Sequence, residues 1–272
     1  MSIEALGMTK SVDARGVGVL TIARPEAANS LTPQTRDALA DAFVEFSGSP
    51  EVRAILLRST GDRHFCTGAS LSPSSAAPAP TEPARRVGDV ARMLQQGWQR
   101  LIASILDCEK PVVAAVQGTA AGAGASLVLA CDLVVMSQTA NLVEVFVRRG
   151  ILPDAGAVHL LTRVVGLRRA TELLLLGDAV DAETCERFGI VNRVASPETL
   201  AGVADELVGR LAQGPTMSMA MTKKLLLVAS ESDRNRAFEQ EASAQELVAG
   251  THDHGEGIAA FVQRRPPQFR GY

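Results

Sequence analysis

The sequence predicts an α/β protein with parallel strands, and three observations carry that expectation. The runs "VGVLTIA" (17–23) and "RAILLRS" (53–59) are short, β-branched or apolar, and separated by a helical pattern. "PVVAAVQ" (111–117) and "DLVVMS" (132–137) repeat that arrangement around a glycine-rich stretch. After "ASPETLAG" (195–202) the strand patterns stop and only helical ones continue.

In chain order, Thr32 is placed to cap the first helix and Pro33 fits its first position. Leu39, Ala42, Phe43 and Phe46 then recur at helical spacing. Between Leu71 and Arg86, "SPSSAAPAPTEPAR" has no periodic apolar face to bury and reads as a mobile surface loop. Near the end, Leu200, Val203, Ala204, Leu207, Val208 and Leu211 mark one helical face, and Met217, Ala220, Met221, Leu225 and Val228 another. The reading is a core over residues 1–198 and a C-terminal helical, oligomerisation region over 199–272, whose apolar faces need a partner surface, either the chain's own core or another subunit.

With 272 residues the chain is long enough for a sizeable core. Lys+Arg 27 against Asp+Glu 30 gives a net charge of -3, which argues against a nucleic-acid surface or an anionic membrane and for a small-molecule partner. No apolar run is long enough to span a bilayer and the start lacks a secretory pattern, so a cytoplasmic location is expected. Cys66, Cys108, Cys131 and Cys185 lie 42, 23 and 54 residues apart, which matches neither a zinc module nor a redox pair and predicts buried thiols. His252 and His254, two apart on a helical stretch, do not share a face, and no metal site is expected.

"GTAAGAGASLVLACD" (118–132) places glycines and alanines ahead of an apolar helical run. Backbone N–H groups at such a helix start carry partial positive charge and suit a phosphate or the oxygen of an activated carbonyl. The stretch has no Lys, which argues against nucleotide hydrolysis. A second small-residue turn, "HFCTGASL" (64–71), follows the second strand. Two such turns after parallel strands can aim amides at one point, as an oxyanion hole requires.

These two turns, with "RPEAANSLT" (24–32), "RGILPDAGAVHLLTRVVG" (149–166), "LLGDAVDAETCERFGIVNRV" (175–194) and "IAAFVQRRPPQF" (258–269), resemble the enoyl-CoA hydratase/isomerase, or crotonase, superfamily in order and spacing over nearly the whole chain. The resemblance implies the ClpP-like spiral of ββα units with a C-terminal helical region. It also implies an acyl-CoA thioester substrate, no separate cofactor, and assembly as a homotrimer or a dimer of trimers.

By motif position the resemblance makes the N–H groups of Ala69 and Ala123 the oxyanion donors. Ala27, Ala28 and Asn29 then fall near the adenine end, Thr67, Gly68, Leu71 and Gly122 around the hole, and Arg264 near the CoA phosphates. The two Glu residues of the family's hydratases correspond here to Ser126 and Phe146, so both carboxylates are missing. Asp154 matches an acidic catalytic position of dienoyl-CoA and epoxyphenylacetyl-CoA isomerases, and the nucleophile of chlorobenzoyl-CoA dehalogenase.

The expectation is therefore an isomerase with Asp154 as proton shuttle, its pKa raised by apolar neighbours such as Phe146 and Leu152. A plain alternative makes Asp154 the cap of the following helix. Glu144 lies two residues before Phe146, on the same strand face but about 6.6 Å away. It is either an ion-pairing residue, with Arg148 or Arg149, or the carboxylate of a residual hydratase. A non-catalytic acyl-CoA-binding homologue is the third reading. His64 and His159 read as structural.

Overall fold

The computed structural model describes residues 2–70 and 86–272. Leu71 and the Pro/Ala/Ser-rich segment lie outside the described residues.

The chain opens with a hairpin. β1 (Met8–Val12) runs antiparallel to β2 (Val17–Ile22), and the Asp13 carboxylate accepts the Arg15 and Val17 amides in the turn between them. α1 (Pro33–Gly48) starts as its residues dictate: Pro33 leads, and the Thr32 hydroxyl accepts the Thr35 N–H at 3.1 Å. β3 (Ala54–Ser59) then pairs parallel to β2.

From β3 onward a unit repeats, in which a first strand enters a large sheet, a second short strand enters a small one, and a helix returns. β3 is followed by β4 (His64–Cys66) and, after residue 86, by a helix in three parts: α2 (Asp89–Met93), a π-helical stretch (Leu94–Gln99) and α3 (Arg100–Leu106). β5 (Val112–Val116) is followed by β6 (Thr119–Ala121) and α4 (Ala123–Ala130). β7 (Leu133–Ser137) is followed by β8 (Asn141–Val143), a 3₁₀ turn (Val145–Arg149) and α5 (Ala157–Leu176), which bends at Gly166. β9 (Ala179–Asp181), α6 (Ala182–Arg187) and β10 (Arg193–Ala195) close the series.

The large sheet runs β1-β2-β3-β5-β7-β10 and is parallel apart from β1; the small sheet runs β4-β6-β8-β9 and is parallel apart from β9. The parallel short strands β4, β6 and β8 therefore bring their C-terminal ends, and the turns after them, to the same end of the small sheet. β5 is buried along its whole length, as a strand covered on both faces must be.

One face of the large sheet meets α1, α3 and α4 around Leu20, Phe43, Leu57, Ile105 and Leu127. The other is covered by α7 (Leu200–Ala212), whose Leu200, Ala204, Leu207 and Val208 pack on Leu56, Val113 and Val135. α7 thus packs on the chain's own core, one of the two surfaces its apolar face was expected to need. Its amphipathic pattern seals a sheet of the same chain rather than waiting for another surface. The outlying helices are α8 (Thr216–Ala229), α9 (Arg234–Ala249) and α10 (His252–Gln263), which leave Leu226, Phe238, Leu247, Phe261 and Val262 exposed. The tail returns to them: the buried Asp253 carboxylate accepts the Arg270 and Gly271 amides, each at 2.7 Å. All four cysteines are free and buried, as expected. Among the described residues no helix is long and apolar enough to cross a membrane.

Candidate active site

The first small-residue turn is fixed by bonds on either side of Ala69. Leu31 N–H donates to the Gly68 carbonyl at 2.8 Å and Ser70 N–H donates to the Leu31 carbonyl at 2.9 Å. In a parallel bridge of this kind the intervening residue directs its own N–H to the opposite side. The Ala69 amide has no acceptor among the described residues. The Thr67 hydroxyl donates to the Ala28 carbonyl at 3.0 Å, tying this turn to the one at 27–29.

The second turn starts α4. Gly122 has φ 56° and ψ −124°, a conformation closed to residues with a Cβ, and its N–H donates to Val143 C=O at 2.9 Å. Ala123 is the first helical residue, so its N–H belongs to the unfilled amides of a helix start, and it too has no acceptor among the described residues. Gly124 is required for another reason: a Cβ there would stand 1.9 Å from the Cys66 carbonyl oxygen. The middle position alone tolerates a side chain. The two turns abut, because a Cβ on Gly68 would lie 3.1 Å from the Ala123 nitrogen.

Asp154 follows the 3₁₀ turn on the segment leading to α5. It does not cap that helix. The capping position is Gly156, without a side-chain bond, and only the Asp154 backbone carbonyl takes part, accepting Ala157 N–H at 2.9 Å. The next residue, Ala155, is fully buried with φ 50°, a left-handed conformation that costs an alanine free energy and turns the chain sharply behind the carboxyl. Asp154 is half-buried, and burial raises its pKa. The surrounding wall does not include Leu152, which is 83% exposed, whereas Phe146 is buried.

Ser126 and Phe146 occupy the neighbourhood of the second turn. Ser126 N–H donates to Gly122 C=O at 3.1 Å, and the Phe146 ring approaches the same glycine, with Cζ 3.8 Å from where a Cβ would stand. Glu144 is not the surface ion-pairing residue that its neighbours Arg148 and Arg149 suggest. Arg148 bonds Asp178 at 2.6 Å, and Glu144 is 1% exposed with both carboxyl oxygens unpartnered among the described residues. Burial pushes its pKa up to about 8. The signal for this lay in the alternation of "NLVEVFV", where Leu142, Glu144 and Phe146 share one buried row.

At the far side of the first turn, Ala28 and the 60–64 turn line a cleft of about 200 Å³. Asn29 is 0% exposed and its amide is fully engaged: Oδ1 accepts Arg24 N–H, and Nδ2 donates to the Thr60 and His64 carbonyls. Its side chain shapes the turn. Ala27 ends a short 3₁₀ turn beside it. His159 is exposed, 3.6 Å from Glu231, as a structural reading expects. Arg264 caps the C-terminus of α10 and is exposed without an ion pair among the described residues, while Arg265 is held by Glu256.

The sequence profile described as enoyl-CoA hydratase/isomerase matches residues 13–272. The chain belongs to the enoyl-CoA hydratase/isomerase family. Relatives in this family include the 1,2-epoxyphenylacetyl-CoA isomerase of Escherichia coli, 34% identical over 94% of this chain and 96% of that one. They also include the crotonyl-CoA hydratase of Syntrophomonas wolfei, 32% identical over 93% and 94%. An enoyl-CoA hydratase/isomerase crystal structure from Mycobacterium abscessus superposes with a TM-score of 0.88 at 31% identity, covering 97% of this chain and all of that one. The enoyl-CoA hydratase/isomerase architecture thus accounts for the two sheets and the helical C-terminal region together.

Proposed function

We propose that the chain is an enoyl-CoA isomerase with a single acidic proton carrier. The thioester carbonyl of an acyl-CoA accepts hydrogen bonds from the Ala69 and Ala123 amides. Asp154 takes a proton from one carbon of the acyl group, the resulting enolate oxygen is held by the two amides, and Asp154 returns the proton at another carbon. A carboxyl whose pKa is lifted toward neutrality suits both halves of that transfer.

The observation that carries this reading is the Asp154 carboxyl. It is half-buried and released from helix capping, in a chain whose two hydratase positions hold Ser126 and Phe146. Incubation with positional enoyl-CoA isomers in D₂O tests it: the wild type moves the double bond and incorporates deuterium, and Asp154→Asn does neither. Unchanged turnover in that variant removes the role.

The CoA part of the substrate is assigned to the cleft at Ala28 and to the free Arg264 guanidinium, and the exposed apolar residues of α8–α10 to contacts in a homotrimer or a pair of trimers. Sedimentation reads the assembly. Hydration through Glu144 is the second reading, favoured by its buried, unpartnered carboxyl; crotonyl-CoA hydration lost in Glu144→Gln would establish it over isomerisation.

A further inference from the structure

Two buried polar groups flank Gly122 with nothing among the described residues to bond to. Ser126 is 0% exposed and Glu144 1%, and neither Ser126 Oγ nor either Glu144 carboxyl oxygen has a partner among the described residues. Backbone bonds tie both to the same glycine. Ser126 N–H donates to Gly122 C=O at 3.1 Å, and Gly122 N–H donates at 2.9 Å to Val143, the residue before Glu144. Glu144 lies in the same buried row as Phe146, whose ring reaches Gly122, while Val143 and Val145 on either side of Glu144 are only partly buried. Buried polar groups of folded proteins almost always have a partner, and where the protein supplies none, water or a ligand does.

We propose that Ser126 and Glu144 form a polar hole on the inner side of the Gly122 turn that receives one oxygen of the acyl group, so that the favoured substrates are CoA thioesters carrying a hydroxyl, carbonyl or ether oxygen within their first few carbons. The inference rests on the acyl-CoA reading above and adds the class of acyl group to it. The placement follows from Gly122 itself: the residue after it carries the amide assigned to the thioester oxygen, so a group beside it faces carbons near the thioester. Ser126 offers a hydroxyl that donates or accepts. Glu144, kept protonated by burial, offers a donor rather than a charge. A purely hydrocarbon acyl group leaves both unbonded, and a site built to bond an oxygen discriminates against the analogue that lacks it.

The test is calorimetric binding of hexanoyl-CoA against its 3-hydroxy and 4-oxo counterparts. These esters have no carbon–carbon double bond, so the readout does not depend on isomerisation by Asp154. The wild type is expected to bind at least one oxygenated ester about tenfold more tightly than hexanoyl-CoA. That preference falls to about twofold or less in Glu144→Leu and in Ser126→Ala. Glu144→Gln keeps a donor and retains most of it, and together with Ser126→Ala it preserves the test should the leucine variant not fold. Equal binding of all three esters by the wild type means that the hole holds water only and overturns the proposal. So does a preference that survives in both Glu144→Leu and Ser126→Ala. If no CoA ester binds, the acyl-CoA reading itself falls.

Discussion

The Gly122 N–H and the Val143 carbonyl, 2.9 Å apart, join the start of α4 to the end of β8. That one bond brings together three side chains drawn from separate parts of the sequence: Ser126 from the helix, and Glu144 and Phe146 from the strand and its 3₁₀ turn. Ser126 and Phe146, which the motif resemblance matches to the two carboxylates of hydratases, thus adjoin one glycine and carry a hydroxyl and a phenyl ring, with Glu144 two residues before the ring.

Asp154→Asn should lower isomerisation by about 10²–10⁴-fold, the usual contribution of a positioned acid–base group. Binding of a saturated acyl-CoA should persist, because the two amides are untouched. Turnover and calorimetry on the same preparation separate the two effects.

The triplet 122–124 should respond unevenly to single methyl changes. Ala123→Gly keeps the amide and costs about 0.5–1 kcal/mol of helix propensity, so turnover survives. Gly124→Ala drives a methyl to 1.9 Å from the Cys66 carbonyl oxygen and forces the two turns apart. It should cost about 3 kcal/mol or more and abolish turnover. Thermal melting with activity assays checks both.

Glu144 should make the fold less stable as the solution becomes alkaline. Its folded pKa of about 8 exceeds the ordinary 4.5, so the folded chain holds the proton more tightly than the unfolded one. Its favourable contribution is complete below pH 4.5 and is lost as the pH rises to about 8. Glu144→Gln should therefore gain a few kcal/mol relative to wild type at pH 8, with the gain shrinking toward pH 4.5. Denaturant titrations at several pH values measure the difference.

Leu207→Ala removes a side chain packed between α7 and the large sheet and should destabilise by about 2–5 kcal/mol. Were α7 a detachable appendage the cost would fall near zero. Urea unfolding distinguishes the two.

Asn29→Ala leaves Arg24 N–H and the Thr60 and His64 carbonyls without their buried partner. A loss of about 1–3 kcal/mol is expected. Weaker CoA-ester binding should accompany it through distortion of the 27–29 turn, read as a raised KM with kcat nearly unchanged.

Much of this architecture was legible before any coordinates. β2, β3, β5 and β7 are apolar runs long enough to show themselves, and Thr32–Pro33 announces α1 chemically. The small sheet was not legible. β4, β6, β8 and β9 have three residues each, too few for an alternation to stand out, and their pairing is decided by partners far along the chain. α7 was read correctly as amphipathic, with its covering surface left open between the chain's own core and another subunit, since a helical face does not say which apolar surface it covers. At the site, motif spacing located the two turns, whereas the capping reading of Asp154 and the ion-pair reading of Glu144 both failed. Each treated sequence neighbours as spatial partners, while a left-handed Ala155 and an Asp178 thirty residues from Arg148 decide otherwise.

The helix that closes the large sheet also sets a delay in synthesis. β10 ends at Ala195 and α7 ends at Ala212, so the finished sheet emerges from the ribosome before its cover does. At typical elongation rates the uncovered interval lasts on the order of a second. During that time Val113 and Val135 lie bare to water, so the face is more exposed to misassociation in the nascent chain than in the finished fold.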